Sequence, residues 1–165
     1  GVVFLLGGTS LTWRGVKEFS LDVNLMLAEG EPDPLPLFEA IDAANISLGV
    51  AVSIIRLRTL ESLPDGYANR AELAERFKFL SVYHFDPYSI ALTKLSRLET
   101  RDVMDVRNMV RAEVIACAEL ERHFESAFAR FPRGTSLSDR DDFRREVDAF
   151  RRHYCGSSFA KEEIM

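Results

Sequence analysis

The feature that most constrains this chain lies at its start. Val2-Val3-Phe4-Leu5-Leu6 is an unbroken apolar run closed by Gly7-Gly8. A run that short with no polar position reads as a buried central strand. Such a strand needs neighbours on both edges and helices over its faces. Residues 19–27 differ in kind: Leu21, Val23 and Leu25 point one way, and Asp22, Asn24 and Met26 the other. That alternation is a strand with one polar face. With the signals that follow, the order reads strand, helix, strand, helix, strand, strand, then helices.

Local signals extend this order. Thr9 or Ser10 is placed to cap a short helix to about Arg14, which Gly15 ends. Residues 29–36, rich in Pro and Gly, form a loop. Leu37, Ile41 and Ala44 give helical spacing over 36–45, and residues 50–57 read as a third strand. Leu60 to Arg70 contains Pro64-Asp65-Gly66, a turn signal. Ala71–Phe77 reads as one or two helical turns and residues 78–85 as a fourth strand. Asp86-Pro87 starts a helix to about Leu98. Thr100 caps the next, with Asp102 in its first turn. Cys117–Phe131 is a third, stopped by Pro132 and Gly134. Ser138 caps a fourth, with Phe143, Val147 and Phe150 on one face. The expected division is an α/β core over 1–86, a helical region over 87–154 packed on it, and a tail over 155–165.

A net charge of −5 argues against a surface that grips nucleic acid throughout, while leaving room for a local basic site. Cys117 and Cys155 are far apart and lie in no metal-ligand spacing. The expectation is therefore no zinc site, no disulfide framework and a reducing cytoplasm. No apolar run is long enough to span a membrane. The opening run lacks the basic flank of a signal peptide. Gly1 stands where an initiator methionine would, so a preceding segment is expected.

The chemistry concentrates in Gly7-Gly8-Thr9-Ser10 followed by Asp22-Val23-Asn24. Two glycines after a strand let backbone approach a ligand closely. The turn beyond offers N–H groups to a phosphate. Asp22 and Asn24, two residues apart on one strand face, present paired oxygens. Mg²⁺ favours such oxygens together with substrate phosphates. This pattern resembles the nucleotidyltransferase superfamily, in which Gly-Gly or Gly-Ser precedes Asp-x-Asp. Within that superfamily it more resembles the branch of AbiEii-type toxin nucleotidyltransferases and neighbouring uncharacterised proteins. Gly7-Gly8-Thr9-Ser10-Leu11, Arg14, Lys17 and Asp22-Val23-Asn24 carry the likeness. A later block, Lys94 followed by Arg101-Asp102-Val103-Met104-Asp105, resembles that branch's second motif.

The resemblance implies an α/β (α+β) fold with a mixed sheet, flanking helices and a helical C-terminal region. It implies transfer of a nucleotide from an NTP to an RNA or protein acceptor, with an antitoxin-like protein as a partner. Gly7, Gly8, Thr9 and Ser10 would bind the nucleotide. Asp22 and Asn24 would hold Mg²⁺. Lys94 and Asp105 would join the catalytic set, Asp105 orienting Lys94 or acting as base. Two departures open an alternative. Asn24 stands where the pattern has a second Asp, and residues 50–57 supply Ser53 and Arg56 but no carboxylate. Only Glu61 and Asp65 in the adjoining loop could add one. The alternative is a catalytically degenerate binding module of the same fold.

Other residues carry blander readings. Lys94 and Asp105 serve equally well as a plain salt bridge, which a helix break at Thr100 would let form. Trp13 reads as core or interface. His84, His123 and His153 have no ligand partners at metal spacing. The Arg-rich stretch Asp139–Arg152 is a solvated helix face.

Overall fold

The computed structural model describes residues 1–28, 35–55, 63–97, 99–130 and 137–156. Residues 29–34 of the predicted 29–36 loop, Arg56, Glu61, the Pro132-Gly134 stop and the tail beyond 156 lie outside these residues; Leu35 and Pro36 begin a helix instead. The chain divides into two compact units. The first comprises residues 1–60 and 68–86, the second residues 61–67 and 87–165.

The first unit is a mixed α/β layer. Its strands are β1 (Val2–Leu5), β2 (Asp22–Leu27), β3 (Ala51–Ile54), β4 (Glu72–Phe77) and β5 (Leu80–His84), with helices α1 (Gly7–Trp13) and α2 (Leu35–Leu48). The sheet order is β3-β2-β1-β5-β4. β1 runs parallel to β5 and antiparallel to β2, β2 parallel to β3, and β4 antiparallel to β5. The apolar opening strand is therefore the middle strand. Its Val3 and Leu5 form a core cluster with Val82, packed by Leu25, Leu27, Leu37, Ala74 and Leu80. Leu25 and Leu27 belong to the apolar parity of β2. Asp22, Asn24 and Met26 thus emerge on the opposite face. On the edge strand β3, the Val52 N–H donates to Asn45 Oδ1 of α2 at 3.0 Å.

The second unit holds helices α3 (Pro87–Leu95), α4 (Thr100–Arg111), α5 (Cys117–Ala129) and α6 (Leu137–Tyr154). Its core contains Leu95, Val106, Met109, Leu120, Phe124, Val147 and Phe150. Pairs Arg144–Glu125 at 3.0 Å and Arg151–Glu121 at 2.6 Å step in opposite directions along α5 and α6. The two helices are antiparallel.

Several sequence expectations are corrected. Ala71–Phe77 is not helical: residues 72–77 form β4, pairing with β5 through a bulge between Leu73 and Glu75. Helix α1 begins at Gly7, with extended Leu6 at the cap position, so Thr9 and Ser10 lie inside the helix. Glu99, not Thr100, occupies the cap position of α4, and it makes no side-chain cap bond. Ser138 falls within α6. The cysteines are also corrected. Cys117 and Cys155 form a disulfide with a Cα–Cα distance of 5.7 Å. Antiparallel packing brings the start of α5 beside the end of α6, which sequence distance alone does not reveal. Among the described residues no helix is long and apolar enough to cross a membrane.

Candidate nucleotide site

The candidate site of the first unit is built where β1 gives way to α1. Gly7 turns the chain with φ +49, a left-handed conformation that favours glycine. A Cβ on Gly8 would stand 2.7 Å from Ser20 Oγ, so a side chain there would displace that hydroxyl. Thr9 then clips the first turn of α1 to β2. Its Oγ1 donates to the Asp22 carbonyl at 3.1 Å and accepts the Asn24 N–H at 3.0 Å. This clip fixes Asp22 and Asn24 beside the glycine turn.

The two side chains also meet each other. Asn24 Nδ2 donates to Asp22 Oδ2 at 3.1 Å, and Ser20 Oγ donates to Oδ1 at 3.4 Å. All lie half-buried. An amide that donates through nitrogen turns its carbonyl oxygen elsewhere as an acceptor. In the parallel register, Asp22 faces Ala51 and Asn24 faces Ser53. The adjoining strand therefore sets a methyl and a hydroxyl, not a carboxylate, beside the pair.

Ser10 is separate from this cluster. It is fully buried, and its Oγ lies 3.0 Å from His84 Nδ1. His84 is a residue that sequence reasoning set aside. Its ring meets Trp13 edge-on at 6.5 Å, while Trp13 itself is half exposed. Burial foremost, then the Arg14 guanidinium, lowers the His84 pKa from 6.5 to about 4; Glu72 opposes this. Arg14 Nη1 pairs with Glu72 at 2.9 Å. The one available signal for His84 was its place at the end of β5, in register with Leu5.

In the second unit Lys94 and Asp105 do turn toward each other across the break between α3 and α4. Lys94 Nζ donates to Asp102 Oδ1 at 2.6 Å and to Asp105 Oδ2 at 2.7 Å. The three residues are only 5%, 3% and 6% exposed. Asp102 and Asp105, three apart on α4, share a face. Asp102 Oδ2 makes no hydrogen bond among the described residues, although Arg97 Nη1 lies 3.8 Å away. Asp65 is engaged by Ser126 at 2.9 Å and by Arg130.

A family model described as a nucleotidyltransferase of unknown function (DUF6036) matches residues 3–152. The chain belongs to this nucleotidyltransferase family. No curated relative and no solved structure matches the chain.

For a nucleotidyltransferase the question is what the strand face can hold. Among the described residues no three His, Cys, Asp or Glu side chains gather as a metal cage. Among these residues, a resident ion bound by protein alone does not fit. One carboxylate and one amide oxygen do fit Mg²⁺ that enters already bound to triphosphate, because that ion keeps phosphate and water ligands and needs few from protein.

Proposed function

We propose that the chain binds a nucleoside triphosphate at the Gly7-Gly8-Thr9 turn and transfers a nucleotide to an RNA or protein acceptor. One observation carries this reading: the Thr9 clip that holds Asp22 and Asn24 against a turn stripped of side chains at Gly7 and Gly8. The triphosphate would lie along that backbone. Asp22 and the Asn24 carbonyl would receive the ion accompanying it, and the bound ion would neutralise charge on the phosphates during transfer. Ser20 would orient the Asp22 carboxylate, and Thr9 would fix the strand backbone that carries both side chains. Lys94 is already committed to two carboxylates, so reaching a phosphate would strand both of them buried. In this reading the triad stiffens the α3–α4 junction. If the acceptor is an RNA needed for translation, expression of the chain arrests growth. That is the behaviour of a toxin with an antitoxin-like partner.

A second reading is a binding module that has lost transfer chemistry. Asn24 and Ser53 favour it, since both stand on the strand face without charge. The two readings separate in one assay. The chain is incubated with labelled NTPs, Mg²⁺, and cellular RNA and protein, beside a thermal shift with each NTP. At about a hundred times its dissociation constant a ligand adds about 2.7 kcal/mol of stability. A shift with label transfer supports the enzyme. A shift without transfer supports the module. No shift with any NTP removes both.

A further inference from the structure

Two surfaces of the first unit carry exposed apolar side chains in opposite charge settings. The first is the outer stripe of α2. Leu37 and Ile41 face the sheet, and helical spacing sets Leu35, Phe38, Asp42 and Ile46 on the other side, with Glu39 beside them. Leu35 is 58% exposed and Ile46 87%. A helix apolar on both sides is ordinarily covered on both. The stripe has two carboxylates and no cation. Neither Glu39 nor Asp42 has an ion partner among the described residues.

The second surface is the tip of the β4–β5 hairpin. Phe77 pairs with Leu80 across the two-residue turn Lys78-Phe79. Lys78 holds φ +44, a conformation that such turns normally give to Gly or Asn. Phe79 is 89% exposed and Phe77 53%. Arg76 and Lys78 flank them, and neither has an ion partner among the described residues. Two aromatic rings between two unpaired cations match three apolar side chains between two unpaired carboxylates.

These surfaces do not cover each other within the chain. The hairpin forms the β4 edge of the sheet, whereas α2 leads into β3 at the other edge. We propose that they bind across two copies: the hairpin tip of one copy docks on the outer stripe of α2 in a second copy. The aromatic rings supply the anchors and the charges set the orientation. Strand addition is not the mode on the α2 side, because Asn45 already occupies the Val52 N–H at the β3 edge.

Sedimentation velocity from low to high micromolar concentration, at low and high salt, tests this. The wild-type chain is expected to self-associate, more weakly at high salt. Phe79→Asp and Ile46→Asp should each weaken association at least about ten-fold. The decisive arm is a charge swap. The double variant Arg76→Glu/Lys78→Glu, and separately Glu39→Lys/Asp42→Lys, should each be monomeric. Their mixture should associate, since it restores both contacts. Unchanged circular dichroism shows that each variant folds. A wild-type chain that stays monomeric at high micromolar concentration and low salt overturns the proposal. So does a mixture of the swap variants that associates no better than either alone.

Discussion

Two polar clusters of this member of a nucleotidyltransferase family look alike in sequence and differ physically. At the Thr9 clip, one carboxylate and one amide sit half-buried on a strand face, and their hydrogen bonds leave acceptor capacity over. At the α3–α4 junction, one ammonium and two carboxylates are almost fully buried, and the ammonium is held by both carboxylates. A group that water reaches can exchange that water for a ligand at little cost. A buried ion bound on two sides must first lose both bonds. Partial solvation marks a cluster available for binding; burial around an ammonium held on two sides marks one that holds the fold.

The largest test breaks the buried cluster. Lys94→Met keeps the apolar stem but removes the ammonium that both Asp102 and Asp105 accept from. The expected loss is about 3–5 kcal/mol in urea unfolding, the range for a buried pair that loses one partner. A loss below about 1 kcal/mol would mean that water reaches the carboxylates and that the contrast is drawn wrongly. The next test acts on the second unit alone. Cys117 and Cys155 are 38 residues apart, so reduction, or Cys117→Ser, should cost about 2–4 kcal/mol. Nucleotide-induced stabilisation should survive, because Asp22 and Asn24 belong to the other unit.

What could be read from sequence follows the same division. Gly7-Gly8 and the Asp22/Asn24 parity are local signals, since alternation decides a strand face without any knowledge of its neighbours. The meeting of Lys94 with Asp105 was legible as an alternative because a helix break is local too. The misplaced helix caps shift a boundary by a few residues, and the larger misreadings depend on distant partners. Ala71-Glu-Leu-Ala-Glu-Arg-Phe77 has strong helix formers, yet pairing with β5 makes it a strand. His84 looked isolated because Ser10 stands 74 positions away. The cysteines looked unpaired because only the antiparallel run of α5 and α6 joins them.

A smaller effect probes the buried Ser10–His84 contact. His84 titrates at about 4 in the folded chain against 6.5 unfolded. Above pH 6.5 both states hold it neutral. As pH falls from 6.5 toward 4, the unfolded chain takes up a proton that the folded one refuses, so stability declines and then levels off. The expected loss is roughly 1–2 kcal/mol, allowing for solvent screening at the ring edge. It is measured as the difference in pH dependence between wild type and His84→Asn. Equal slopes in the two would show that the ring is not shielded.

The smallest stability effects should accompany the largest change in binding. Asp22→Ala removes two long side-chain hydrogen bonds at a half-buried position, so the fold should lose no more than about 1 kcal/mol. Nucleotide stabilisation should vanish, because the one carboxylate of the pair is gone. Asn24→Asp works in the opposite direction. Without metal it replaces a hydrogen-bond donor by a second negative charge two residues along the strand, and stability should fall by a few tenths of a kcal/mol. With Mg²⁺ present that same charge strengthens attraction for the ion, so the nucleotide-induced shift should exceed that of wild type. A variant less stable alone and more stable with Mg²⁺ and NTP fits a strand face that receives an ion. A variant weakened in both conditions means that Asn24 is there to steady Asp22 by its hydrogen bond, and that the metal, if the reaction uses one, is held elsewhere.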